Sequence, residues 1–315
     1  MQVLTRPEDP GIEGLLERDE FFWLDLNGPS QHDMDVLGEL LGLHPMAMED
    51  TREFGQRPKV DVYDRHVLVV FYTARAPGRG GRLADLIEVH IYVSGGWIVT
   101  IRQDECTLLD RLHEALRPEG THDEESLVYR IFDTLTDAFY PVITDIESRI
   151  DALEAQVLAR ARREQLGQIY RMRQDARELH RVLADQRDHF KPAADAIRNL
   201  GGLSLGTREY LRDVGDHLAQ ITGELQRQNE DLLALASTYF NANADRLNAV
   251  ATRLTVMGTF FLVWTLVTGF FGQNFGWLVD NISTRRDFLL FGVGGLTVPT
   301  LALAVLFVAK RRDWF

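Results

Sequence analysis

Residues 254–279 read Leu-Thr-Val-Met-Gly-Thr-Phe-Phe-Leu-Val-Trp-Thr-Leu-Val-Thr-Gly-Phe-Phe-Gly-Gln-Asn-Phe-Gly-Trp-Leu-Val, 26 positions without a charge. About 20 such residues cross the hydrocarbon core of a bilayer as a helix. A second uncharged run of 22 residues, Phe288 to Ala309, follows after only Asp280 to Asp287. Two spanning helices joined by so short a loop must be antiparallel, which puts both chain termini on one side of the membrane. Arg246, Arg253, Lys310, Arg311 and Arg312 flank that side, against Arg285 and Arg286 in the loop. The positive-inside rule then puts the large N-terminal part and both termini in the cytoplasm, as expected of a multi-pass protein of the inner (plasma) membrane. The start, Met1-Gln2-Val3-Leu4-Thr5-Arg6-Pro7, has no basic stretch followed by an apolar one, so no secretory signal is expected.

Away from these segments the chain is acidic, with a net charge of −13 over 315 residues. That balance argues against nucleic acid, whose phosphates need a basic surface, and favours cations as partners. Cys106 is the only cysteine, which excludes an internal disulfide and a multi-cysteine zinc site within one chain; it is expected to pack in a helix.

In the first hundred residues, runs rich in β-branched and aromatic residues recur at Phe21–Leu26, Lys59–Ala74, Asp85–Val93 and Trp97–Arg102, and predict strands. Pro77-Gly78-Arg79-Gly80-Gly81-Arg82 lacks the Lys-Ser/Thr ending of a phosphate loop and reads as a hairpin turn. From Asp104 onward the spacing is helical over Asp104–Arg117, Asp123–Leu158 and Arg160–Phe190. Gly202-Leu203-Ser204-Leu205-Gly206 spells the nucleophile elbow of hydrolases. Helical sequence on both sides deprives that serine of the strand it needs, so a turn between helices is expected.

Thr207 is placed to cap the next helix, with Glu209 in its first turn. No proline interrupts Thr207–Phe271, so one helix of roughly 100 Å, at about 1.5 Å per residue, is predicted to run from the cytoplasm through the membrane. Leu211, Val214, Leu218, Ile221, Leu225, Leu232, Leu235 and Tyr239 form an apolar stripe for packing. A second stripe holds Asn248, Ala251, Thr255, Gly258, Leu262, Thr265 and Gly269, small or polar except for the leucine. Phe260, Phe261, Trp264, Phe270 and Phe271 lie on other faces, where lipid would meet them. The small face fits close helix packing, and it also fits a pore lined by several copies of the helix, with Leu262 as an apolar constriction and the Asn and Thr residues as polar rings.

The first membrane segment ends Thr268-Gly269-Phe270-Phe271-Gly272-Gln273-Asn274-Phe275. This resembles the signature of the CorA family of divalent-cation transport proteins, in which Gly-Met-Asn and an aromatic residue end the first of two C-terminal membrane helices. Asn248, Leu254-Thr255, Arg57-Pro58-Lys59-Val60 and the basic tail Lys310-Arg311-Arg312 are similar to family positions too, so the resemblance covers nearly the whole chain. It implies an α/β cytoplasmic domain with long helices (1–206), a stalk helix (207–253), a first transmembrane helix with the GxN motif (254–279), an outer loop (280–287), a second transmembrane helix (288–309) and a cytoplasmic tail (310–315). It also implies a funnel-shaped homo-oligomer, a pentamer, set in the lipid bilayer.

What the resemblance implies for function is a gated Mg²⁺ influx pathway, with Co²⁺ or Ni²⁺ as further ions and no enzymatic chemistry. Gly272, Gln273 and Asn274 would form the selectivity filter. Mg²⁺ parts with its waters reluctantly, so a ring of Asn274 amides and Gly272 carbonyls would hold the hydrated ion. Gln273 stands where the family has methionine, which leaves the preferred metal open, and a Zn²⁺ transporter of the same superfamily is the alternative. By similarity Glu49, Asp50 and Asp213 match acidic positions that hold regulatory Mg²⁺ between neighbouring cytoplasmic domains, with His217 one turn after Asp213. A non-transporting membrane metal sensor is the reading from another class; it would need no continuous polar face in the membrane.

Overall fold

The structure is a computed structural model that describes the backbone of residues 2–75, 82–116, 124–201, 203, 207–273 and 275–314, and their side chains except at 124, 125, 207–209, 278, 279 and 310–314. Contacts divide the chain into two units, Met1–Ser237 and Thr238–Phe315.

The first unit is built on a six-stranded mixed sheet in the order β1-β2-β6-β5-β4-β3. Its strands are β1 (Gln2–Leu4), β2 (Phe22–Asn27), β3 (Lys59–Val62), β4 (Val67–Arg75), β5 (Asp85–Val93) and β6 (Trp97–Arg102). β1, β2 and β6 run parallel, while β6, β5, β4 and β3 alternate in direction. Every residue of β6 is buried, because helices cover both sheet faces; a strand covered twice loses the alternation of polar and apolar residues. On one face α1 (Gly11–Glu17), α2 (Gln31–Leu41) and α3 (Pro45–Arg52) pack Ile12, Leu15, Met34, Leu37 and Met48 against Leu24, Tyr92, Val99 and Ile101.

After β6 come α4 (Thr107–Leu116), α5 (Glu124–Asp137), α6 (Phe139–Ala159) and α7 (Arg163–Arg198). Phe71 of β4, Phe132 of α5 and Phe190 of α7 meet edge-to-face with centroids 5.3–6.1 Å apart and fix these helices on the other face. Gln186 of α7 accepts from the Tyr72 backbone N–H at 2.6 Å and donates to its carbonyl at 3.2 Å, standing in for a strand where β3 has ended. Cys106 is buried immediately before α4, not inside a helix.

The expected strands at Asp85–Val93 and Trp97–Arg102 match β5 and β6. The run Lys59–Ala74 is two strands, split by a turn in which Tyr63 N–H donates to the His66 carbonyl at 2.9 Å. Asp123–Leu158 is likewise two helices, broken at Ala138, and the helix expected to end at Phe190 continues to Arg198 past Pro192. β4 and β5, which Pro77–Arg82 joins, are antiparallel neighbours, as a hairpin requires; residues 76–81 themselves lie outside the described residues. So do most of Gly202–Gly206 and the side chains of Thr207 and Glu209.

α8 is one helix of 65 residues, Thr207–Phe271, as its proline-free sequence predicts. In the first unit Leu211, Val214, Leu218, Ile221, Leu225, Leu232 and Leu235 are all buried. Gln228 interrupts the stripe: its amide N–H donates to the Ile143 carbonyl of α6 at 2.9 Å, while its Oε1 is buried without a hydrogen bond. In the second unit α8 is followed by α9 (Gly276–Asn281), the short α10 (Arg285–Asp287), a π-helical stretch Phe288–Val293 and α11 (Gly294–Trp314). Both α8 and the helical segment Arg285–Ala309 are long and apolar enough to cross a membrane.

Candidate ion pathway and metal-binding cluster

In the membrane unit, α11 lies against one side of α8. The Trp264 indole N–H donates to Thr300 Oγ1 at 2.9 Å, and Gly295 is so close that a Cβ there would stand 3.2 Å from the Phe271 ring and 3.7 Å from Val267. At 100° per residue, Trp264, Val267 and Phe271 lie across the helix from Leu262. Trp264 and Phe271, expected among lipid, therefore turn toward α11, although Trp264 stays 44% exposed; Phe261 and Phe270 are exposed as well. The stripe Asn248, Ala251, Thr255, Gly258, Leu262, Thr265 and Gly269 is exposed throughout, with Leu262 at 67%.

The hydroxyls on this stripe have a defined polarity. Thr255 Oγ1 donates to the Ala251 carbonyl at 2.9 Å and Thr265 Oγ1 to the Phe261 carbonyl at 2.7 Å. Each proton is spent inside the helix, so the oxygen faces outward as an acceptor, the role that suits a cation or the water around one.

α8 ends at Phe271, where Gly272 N–H donates to the Thr268 carbonyl at 2.8 Å and Gln273 N–H to that of Phe270 at 3.3 Å. A Cβ on Gly272 would come within 2.9 Å of the Thr268 carbonyl oxygen, a backbone atom that cannot give way, so this turn requires glycine. The last carbonyls of α8 carry the negative end of its dipole to Gly272 and Gln273. Asn274 lies outside the described residues.

In the other unit a compact cluster surrounds Asp213. Asp133 of α5 with Asp213 and His217 of α8 offer ligand atoms all within 4.8 Å of one another. His217 Nδ1 is 3.5 Å from Asp133 Oδ1 and 3.8 Å from Asp137 Oδ1, and its Nε2 is 3.8 Å from Asp213 Oδ1. These separations exceed a hydrogen bond, and both Asp133 Oδ1 and His217 Nδ1 are buried without a hydrogen-bond partner. Tyr129 donates to Asp213 at 3.2 Å. Burial, and then the Asp137 carboxylate, raise Asp133 above the usual carboxylate range. Burial, Asp133 and Asp213 push the Tyr129 phenol up to about 12. Carboxylates crowded this way are stabilised by a cation.

Sequence reasoning named Asp213 and His217 but missed Asp133 and Asp137. The signal was their i,i+4 spacing on α5, which matches that of Asp213 and His217 on α8. Among the described residues, Asp213's partners come from α5 and α8, whereas Glu49 and Asp50 sit on α3. Glu49 is exposed. Asp50 Oδ2 is 2.7 Å from Lys59 Nζ, and Gln56 Nε2 donates to Asp50 Oδ1 at 3.3 Å. The bond from Lys59 lowers the Asp50 pKa.

A mixed-sheet domain followed by two helices long and apolar enough to cross a membrane, the first of them ending at the Gly272 turn, is the architecture of a two-span membrane protein. The chain belongs to the CorA-like Mg²⁺ transporter family, whose profile matches residues 18–312. It is 26% identical to the putative metal ion transporter YfjQ of Bacillus subtilis over 99% of this chain and 93% of that protein. The cobalt/magnesium transport protein CorA of Thermotoga maritima is 24% identical, over 93% of this chain and 83% of its own. Among solved structures, the CorA magnesium transporter of Methanocaldococcus jannaschii superposes with a TM-score of 0.73 at 20% identity, over 93% of this chain and 91% of the other.

Proposed function

We propose that the protein is a gated Mg²⁺ influx pathway, formed by several copies of the chain around an axis lined by α8. Five copies is the number its family resemblance implies. The observation that carries this reading is the small and polar character of the stripe from Asn248 to Gly269, which lies across α8 from α11 and presents the outward acceptor oxygens of Thr255 and Thr265. Leu262 forms the apolar constriction. Gly272, Gln273 and Asn274 form the filter at the outer end, holding the hydrated ion through its water shell.

Both termini face the cytoplasm, and entry needs no ATP: a divalent ion crossing inward at 100 mV gains about 4.6 kcal/mol, twice the roughly 2.3 per charge. Co²⁺ and Ni²⁺ share the pathway. Closure follows from intracellular Mg²⁺ bound by Asp213 with its neighbours and by Glu49 and Asp50 at contacts between subunits. The ion screens carboxylate repulsion in the closed arrangement, and its loss frees the subunits to open.

The test is flux into proteoliposomes. Gly258→Trp plugs the stripe and abolishes Mg²⁺ entry, whereas Met257→Trp, about 100° around the helix, spares it. Equal flux through both variants removes the stripe from the pathway.

A further inference from the structure

Lys59 on β3 holds two carboxylates at once. Its ammonium is 2.7 Å from Asp50 Oδ2 and 3.3 Å from Asp61 Oδ2. Lys59 and Asp61 are two residues apart and so share one face of the strand. Asp50 comes from the last turn of α3, and Gln56 pins it from the opposite side by donating to its carbonyl at 2.7 Å and to Oδ1 at 3.3 Å. One lysine between two aspartates leaves the group with a net negative charge, and exposed Glu49 adds another beside it. Apart from the Lys59 contact, Asp61 Oδ2 is buried without a hydrogen bond.

A carboxylate already paired with an ammonium is not free to ligate an ion; the ammonium must first leave. Lysine suits such an exchange, because its compact charge rides on a flexible four-carbon stem and needs no fixed planar partner. Asp61 gives it a second resting place within the same reach, so departure from Asp50 does not strand a charge.

We propose that Lys59 is a tethered counter-ion that occupies Asp50 until a divalent cation displaces it onto Asp61, and that it thereby sets the concentration at which the Asp50 site fills. The inference rests on the reading that Asp50 ligates the regulatory ion. Its two aspartates act in opposite senses: Asp50 is the contested ligand, and Asp61 draws the competitor away.

The experiment is the Mg²⁺ dependence of Tm for the purified full chain in detergent, with the wild-type reference and every variant alike carrying Asp133→Asn and Asp213→Asn so that the other cluster does not respond. An ion that binds the folded state begins to raise Tm once its concentration passes the Kd of its site. Partly exposed ion pairs are worth about 0.2–1 kcal/mol, so removing the competitor shifts half-saturation by roughly 1.4- to 5-fold. Lys59→Met and Lys59→Gln are expected to fill at lower Mg²⁺ than wild type, Asp61→Asn at higher Mg²⁺, and Asp50→Asn at much higher Mg²⁺. If Asp50→Asn is weakened while both Lys59 variants titrate like wild type or require more Mg²⁺, the role given to Lys59 is overturned and Asp50 stands. If wild type ignores Mg²⁺, or Asp50→Asn titrates like wild type, Asp50 is no ligand and the inference falls with that reading.

Discussion

Trp264 of α8 donates its indole N–H to Thr300 Oγ1 of α11 at 2.9 Å, and this bond marks the side of α8 that faces α11. Close approach at Gly295 reinforces it. The small and polar stripe is left open because the large residue and its partner lie on the far side of the helix. Trp264→Phe keeps the ring and removes the donor. Bonds of this kind in membrane proteins are worth about 0.6 and at most about 1.7 kcal/mol, so the variant should show a correspondingly lower unfolding free energy in detergent, with ion selectivity unchanged.

The open face can be mapped chemically, because the native cysteine is buried before α4. In a Cys106→Ser background, single cysteines at Thr255, Gly258 and Thr265 should react with a water-soluble, charged thiol reagent and lose flux on reaction. Cysteines at Val267 and Phe271, turned toward α11, should react slowly. The reverse pattern would put water on the α11 side and contradict a pathway along the stripe.

Asp133 gives a prediction with a definite sign. Its folded pKa is raised above the usual 3.8 by burial and by Asp137. A carboxyl shifted upward binds its proton more tightly in the folded state. Its contribution is full below pH 3.8 and is lost as pH rises through the folded value. Without metal at pH 7, Asp133→Asn should therefore melt higher than wild type. A gain of 1 kcal/mol corresponds to about 2–4 °C in a protein of 150–250 residues. The difference should vanish near pH 3.5. Mg²⁺ should raise the wild-type Tm more than the variant's, because the variant lacks a ligand.

How much of this was legible in the chain depends on the distance over which each signal acts. α8 could be read whole from the missing proline and one apolar stripe, since both are local. β5 and β6 were legible from their β-branched runs, but the turn at Tyr63–His66 was hidden inside a longer run of the same kind. α1, α2 and α3 were overlooked among strands, although Ser30 and Asp33 spell a capping box at the start of α2. β1, at three residues, is held by its pairing with β2 and carries no pattern of its own. In the cluster, Asp213 and His217 stood out on one helix, but Asp133 joins them only through packing between α5 and α8, across 80 positions of sequence. The Lys59 contact to Asp50 was invisible for the same reason: α3 and β3 meet only in the fold.

The most direct measurement is Mg²⁺ entry into liposomes that hold the purified protein and an internal Mg²⁺-sensitive dye, under an inside-negative potential, for wild type and Asn274→Ala, with Zn²⁺ entry measured in parallel. The account predicts Mg²⁺ entry in wild type that the substitution abolishes or makes unselective. Well-folded wild type that passes Zn²⁺ and no Mg²⁺ would contradict the ion assigned to it, and silence to both ions would contradict transport itself and leave a membrane metal sensor.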